Sequence, residues 1–150
     1  MTEVFFYHLE RRTLESALPD LIQRTLQRGW RAVVQVGSEE RLQALNAHLW
    51  TFEDQSFLPH GSAADGYAEE QPVWLTTGED NPNAAQVRFL VDGADTRDFS
   101  GYERIVFLFD GGDGEALSRA RASWKAAREA GAAPTYWRQD EKGRWTKEAG

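Results

Sequence analysis

Residues 104–131, RIVFLFDGGDGEALSRARASWKAAREAG, decide the fold of this 150-residue chain. The run RIVFLF is apolar and rich in β-branched and aromatic residues, as in a strand. DGGDG then breaks it with a tight turn. Beyond the turn, Ala116, Ala120, Ala127 and Ala130 with Leu117 recur at helical spacing, which predicts a helix over about 114–130 that packs closely on a sheet. A strand, a short turn and a closely packed helix make the first part of a βαβ unit. A unit of that kind calls for a parallel partner strand.

The rest of the chain repeats this alternation. VFFYHL (4–9) reads as the first strand. Residues 13–28 place Leu14, Leu18, Leu21, Ile22 and Leu26 on one helical stripe with Gly29 as the stop, and Pro19 predicts either a start near it, with proline in the first turn, or a kink. RAVVQVG (31–37) reads as a strand buried on both faces. Ser38 is placed to cap a helix of residues 39–50, whose Leu42, Leu45 and Leu49 form its apolar stripe. PVWLTT (72–77) and QVRFLVDG (86–93) supply two more strands, and APTYWRQ with GRWTK a terminal pair. Residues 61–71 and 78–85 read as the long loops. The order predicts one α/β domain over 1–150, with an open, mostly parallel sheet and helices on both faces. VFFYHL, RAVVQV and RIVFLF are expected as neighbouring parallel strands.

Composition narrows the function. Hydrophobic residues make up 41% and charged residues 27%, which suits a globular chain, and there is no cysteine for a disulfide or a thiolate metal site. No apolar run approaches the roughly 18 residues of a membrane helix, and the N-terminus reads as a strand rather than a leader, so the expected compartment is the cytoplasm. Residues 1–117 carry nine Arg or Lys against twenty Asp or Glu, a net of −11, whereas residues 118–147 carry eight against three, a net of +5. An anionic partner is therefore expected at the C-terminal segment, and the acidic body argues against direct nucleic-acid binding through the basic end.

Catalytic and cofactor patterns are missing. The turn Asp110-Gly111-Gly112-Asp113-Gly114 invites a phosphate, yet neither G-x-G-x-x-G nor G-x-x-x-x-G-K-[ST] occurs, and two aspartates would repel the ligand. A tight βα turn with Asp113 as the helix cap is the expectation. A nucleotide- or metal-dependent enzyme using this turn is the alternative. His8, His48 and His60 have no metal-ligand spacing, and no nucleophile stands beside a base.

Two stretches instead suit protein docking. Arg121, Trp124, Lys125 and Arg128 fall at i, i+3, i+4 and i+7 on one helix face. Cations around an indole form a receptor for an acidic peptide with an apolar end. Spacing alone leaves open the other reading, a tucked Trp under ordinary basic cover. LWTFEDQSFLPHG (49–61) sets Trp50, Phe52 and Phe57 ahead of Pro59 and His60, at the mouth of a loop. Pattern favours burial for Trp50 and Phe52, and less so for Phe57.

Taken with FYHL, GWRAVV and RASWKAAREAG, that last motif resembles the chi subunit family of the bacterial DNA polymerase III holoenzyme, over nearly the whole chain. The resemblance implies a Rossmann-like domain that has lost nucleotide binding. It implies a clamp-loader accessory protein without catalysis, cofactor or metal, which meets DNA only indirectly. By position, Arg121, Trp124, Lys125 and Arg128 would take the acidic C-terminal tail of single-stranded-DNA-binding protein, with Trp124 where a tyrosine is familiar. Trp50, Phe57, Pro59 and His60 would meet the psi subunit or, in its place, a repair helicase.

Overall fold

The computed structural model describes all residues except 1, 11, 52–59, 64–65, 143 and 150, with only the backbone of Trp50 and Thr51. Its elements run β1 (Glu3–Leu9), α1 (Leu14–Gln27), β2 (Ala32–Val36), α2 (Glu39–Thr51), β3 (Val73–Thr76), β4 (Val87–Val91), β5 (Arg104–Asp110), α3 (Gly114–Glu129), β6 (Ala133–Gln139) and β7 (Trp145–Ala149), with a short 3₁₀ turn at Ala68–Glu70. The strands form one sheet in the order β3-β2-β4-β5-β1-β6-β7. All pairs are parallel except β6–β7. The sheet carries α1 and α2 on one face and α3 on the other, as α1 and α2 share one apolar cluster and α3 packs into a second.

One neighbour relation differs from expectation. β1 and β5 pair directly, but β4 lies between β5 and β2. The chain returns from β3 to β4 through residues 77–86, which form no helix. That segment is held down by Arg88 of β4, only 2% exposed. The Arg88 guanidinium donates to Gln35 Oε1, to the backbone oxygens of Gly78 and Asp80, and to the Tyr102 hydroxyl. A buried cation fastened to neutral oxygens takes the place that a crossover helix would otherwise fill.

Local chemistry explains the helices. Thr13 caps α1 by accepting from the Ser16 N–H, and Ser38 does the same for α2 from the Arg41 N–H. Pro19 stays inside α1 although it cannot donate to the Glu15 carbonyl four residues back. His48 of α2 fills that vacancy: its Nε2–H donates to the Glu15 oxygen at 2.7 Å. The proline's missing bond thus becomes a bond between the two helices. Leu42, Leu45 and Leu49 are buried as their spacing requires, and every residue of β2 and β4 is buried.

Candidate functional site

β5 leads through the DGGDG turn into α3, and the turn's carboxylates are spent on its own backbone. Asp110 Oδ1 accepts from the Gly112 N–H at 2.8 Å, and Asp113 Oδ1 accepts from the Glu115 and Ala116 N–H groups. The anion-binding end of the helix is therefore occupied by the chain itself. Gly111 is required by a neighbour: a Cβ there would lie 1.8 Å from His8 Nε2. Among the described residues, no three His, Cys, Asp or Glu side chains gather closely enough to hold a metal ion.

A crevice of about 630 Å³ opens at the carboxyl ends of β1, β4 and β5, where the strand order reverses and doubly wound folds place their ligands. Three arginines (Arg12, Arg41 and Arg119) line it against six carboxylates. Arg41 is tied to Glu15 at 2.9 Å and to Asp92 at 3.3 Å, and Arg12 to Asp20 at 2.6 Å. Such a surplus of negative charge opposes a phosphate ligand.

The outer flank of α3 is different. Ala116, Ala120, Ser123 and Ala127 face the sheet and are buried, so the helix lies close to it. Arg121, Lys125 and Arg128 are exposed along the outward stripe. Lys125 reaches only Glu129, at 4.0 Å, and its side chain is 79% exposed. Trp124 is half-buried between them, its ring 5.4 Å from Phe6 and 6.1 Å from Tyr136. One side of the indole thus rests on strands β1 and β6, and Arg121, Lys125 and Arg128 share its helix flank at i−3, i+1 and i+4.

His8 and Tyr136 extend this surface, and sequence reasoning missed both as its neighbours. His8 Nδ1 lies 2.6 Å from the Tyr136 hydroxyl and Nε2 lies 3.1 Å from Glu10, which in turn pairs with Arg138. A neutral ring satisfies both contacts, accepting from the phenol and donating to the carboxylate. Burial, and then the Arg138 charge, lowers the His8 pKa below its ordinary 6.5. Burial raises the Tyr136 pKa, against the pull of Arg138 and Arg121. The only sequence signal for this network was the matched alternation of β1 and β6, which puts Phe6 beside Tyr136 and His8 beside Arg138.

The lowered pKa has a sign. Between its folded pKa and 6.5 the unfolded chain binds more protons at His8, so stability falls as pH drops through that window. Thermal melts from pH 7.5 to 5 should show this loss, and His8→Gln should flatten it. Identical pH profiles for the two proteins would remove His8 as the cause.

The second surface read from the sequence lies mostly outside the described residues. Phe57, Pro59 and the Trp50 side chain lie outside them. His60 is buried at 5% exposure. After it the chain pairs on the outer strand: Gly61 donates to the Val73 oxygen and accepts from the Leu75 N–H, a parallel bridge beside Trp74.

The fold and site together define a class: a doubly wound α/β domain whose helix N-terminus is filled by its own aspartate, and whose cationic helix face is turned outward. A model of the family "DNA polymerase III chi subunit, HolC" matches residues 1–135. The chain belongs to that family of replication accessory proteins. Among curated proteins it is similar to the probable DNA polymerase III subunit chi of Rickettsia prowazekii (strain Madrid E), with 28% identity over 95 residues. That match covers 63% of this chain and 58% of the relative, a little over half of the relative's length. No helix among the described residues is long and apolar enough to cross a membrane.

Proposed function

We propose that this chain is a non-catalytic, cytoplasmic bridge between the DNA polymerase III clamp-loader complex and single-stranded-DNA-binding protein. Its α3 face would capture the acidic C-terminal tail of that protein. The observation that carries this reading is the half-buried Trp124, braced by Phe6 and Tyr136, on the same helix flank as the exposed Arg121, Lys125 and Arg128. A fixed ring forms an apolar wall at little entropic cost, and exposed cations on the same helix face take carboxylates. The enzyme alternative at the DGGDG turn is disfavoured because both aspartates already bond their own backbone. Calorimetry with an acidic peptide ending in proline and phenylalanine, beside ATP with magnesium, tests the two readings together. Saturable binding of the peptide is expected, lost when its terminal phenylalanine is removed. Saturable nucleotide binding without peptide binding would reverse the assignment.

A second partner, the psi subunit or a repair helicase, is proposed for the segment of Trp50, Phe57, Pro59 and His60. Phe57→Ala should weaken capture of a purified partner by about 2 kcal/mol or more, with the melting curve and tail-peptide affinity unchanged. If Phe57→Ala unfolds the protein instead, that side chain belongs to the core.

A further inference from the structure

On the face opposite α3, helix α1 packs on β2 and β5, and a groove of about 380 Å³ separates its C-terminal half from β1. The described residues lining the groove include Arg24, Arg28 and Arg104 and no carboxylate. That is unusual for a chain with 24 acidic and 17 basic residues. Rings and guanidiniums alternate along its rim. Arg104 lies 4.3 Å over Phe5 and 5.6 Å from the Trp30 ring, and Arg28 lies 4.1 Å over Trp30. Arg104 also pairs with Glu3 at 3.1 Å, which leaves Arg24 and Arg28 as the exposed charges.

Aromatic rings continue from the groove across the sheet. Trp137 is 5.8 Å from Phe5 and 6.2 Å from Tyr7, stacked on the latter, and Trp145 is 4.6 Å from Tyr7. All four rings are half-buried, and Lys147 stands across from Trp137 on the neighbouring strand. Trp137, Trp145 and Lys147 lie beyond residues 1–135, where the family match ends. Burial raises the Tyr7 pKa while Arg104 and Arg24 pull it down, which places both charges within reach of this row.

We propose that the groove between α1 and β1, with the row Phe5, Tyr7, Trp137 and Trp145, binds single-stranded nucleic acid. Phosphates meet Arg24 and Arg28, and unstacked bases meet the rings. An acidic peptide would use the arginines but has no repeated flat faces for a row of aromatics. A duplex hides its base faces in its own stack. A single strand offers both kinds of partner along its length. The net of −11 over residues 1–117 does not prevent this, because Arg24 and Arg28 are local and exposed, Glu3 at the rim is tied to Arg104, and carboxylates further off are screened.

Fluorescence anisotropy with labelled oligo-dT and oligo-U of about fifteen nucleotides, at low and moderate salt, tests the proposal on the whole chain. Saturable binding that weakens with salt is expected for one or both strands, and the comparison tells DNA from RNA. Arg24→Gln with Arg28→Gln should weaken it at least tenfold and flatten the salt slope, since each phosphate contact contributes about −0.7 to that slope. Trp137→Ala should weaken it severalfold, and Lys125→Ala should leave it unchanged. Four outcomes would overturn the proposal. These are no saturable binding of either strand, full binding by the double variant, equal binding of a duplex, or competition at these arginines by an acidic peptide alone.

Discussion

Arg88→Met is expected to lower the free energy of unfolding by about 3 kcal/mol or more. Methionine nearly fills the volume but donates nothing. Gln35 Oε1, two backbone oxygens of the 77–86 segment and the Tyr102 hydroxyl would then lose their donor where the guanidinium is only 2% exposed. Buried acceptors without donors each cost on the order of 1–3 kcal/mol, and removing the desolvated cation returns part of that. Arg88→Lys keeps the charge but cannot span all four acceptors, so it should fall in between. Urea melts of the three proteins check the order. A loss below about 1 kcal/mol for Arg88→Met would mean that burying the charge had cancelled its hydrogen bonds. The segment would then be held by Asp80, which accepts from Trp74 Nε1 and Thr76 Oγ1.

The second large effect concerns the α3 face. Lys125→Ala should weaken the tail peptide by about 2 kcal/mol or more, roughly thirtyfold, if that lysine takes the peptide's terminal carboxylate. Its side chain is exposed and reaches only Glu129, so truncation should leave the fold intact and the loss should report binding alone. Trp124→Ala should do comparable damage, but it also removes the packing on Phe6 and Tyr136, so its melting temperature must be measured beside its affinity. Arg121→Ala, a rim charge, should cost within about 1 kcal/mol and reduce the salt dependence. Calorimetry at two salt concentrations separates these cases. Wild-type affinity in the Lys125→Ala, Trp124→Ala double variant would sink the assignment of this face.

The sequence was most legible where one force dominates. Near-continuous apolar runs marked β2 and β5 because strands buried on both faces have no polar alternation to obscure them. Ser38, Asp113 and Gly29 marked helix ends because caps are local chemistry. The place of β4 between β2 and β5 was not legible, since it depends on a crossover without a helix and on one arginine inside an apolar strand. An arginine at that position, with apolar residues on both sides, was the available warning. Likewise, the i, i+3, i+4, i+7 pattern found the cations of α3, but it could not say what the Trp124 ring rests on. Its supports, Phe6 and Tyr136, are remote in the chain and meet it only through strand register. The guanidinium–ring alternation around Trp30 was equally hidden, because Arg104 is far from it in sequence and near it only in the sheet.

Strand β1 is one residue thick, and its side chains alternate: Phe5 and Tyr7 to the arginine groove, Phe6 and His8 to the Trp124 surface. A geneticist seeking alleles that disable one of these surfaces and spare the other should therefore avoid β1. A change at any of these four positions disturbs the partition wall shared by both. Clean separation-of-function alleles should come from Arg24 and Arg28 on one side and Lys125 on the other, which are exposed and belong to different helices or their caps.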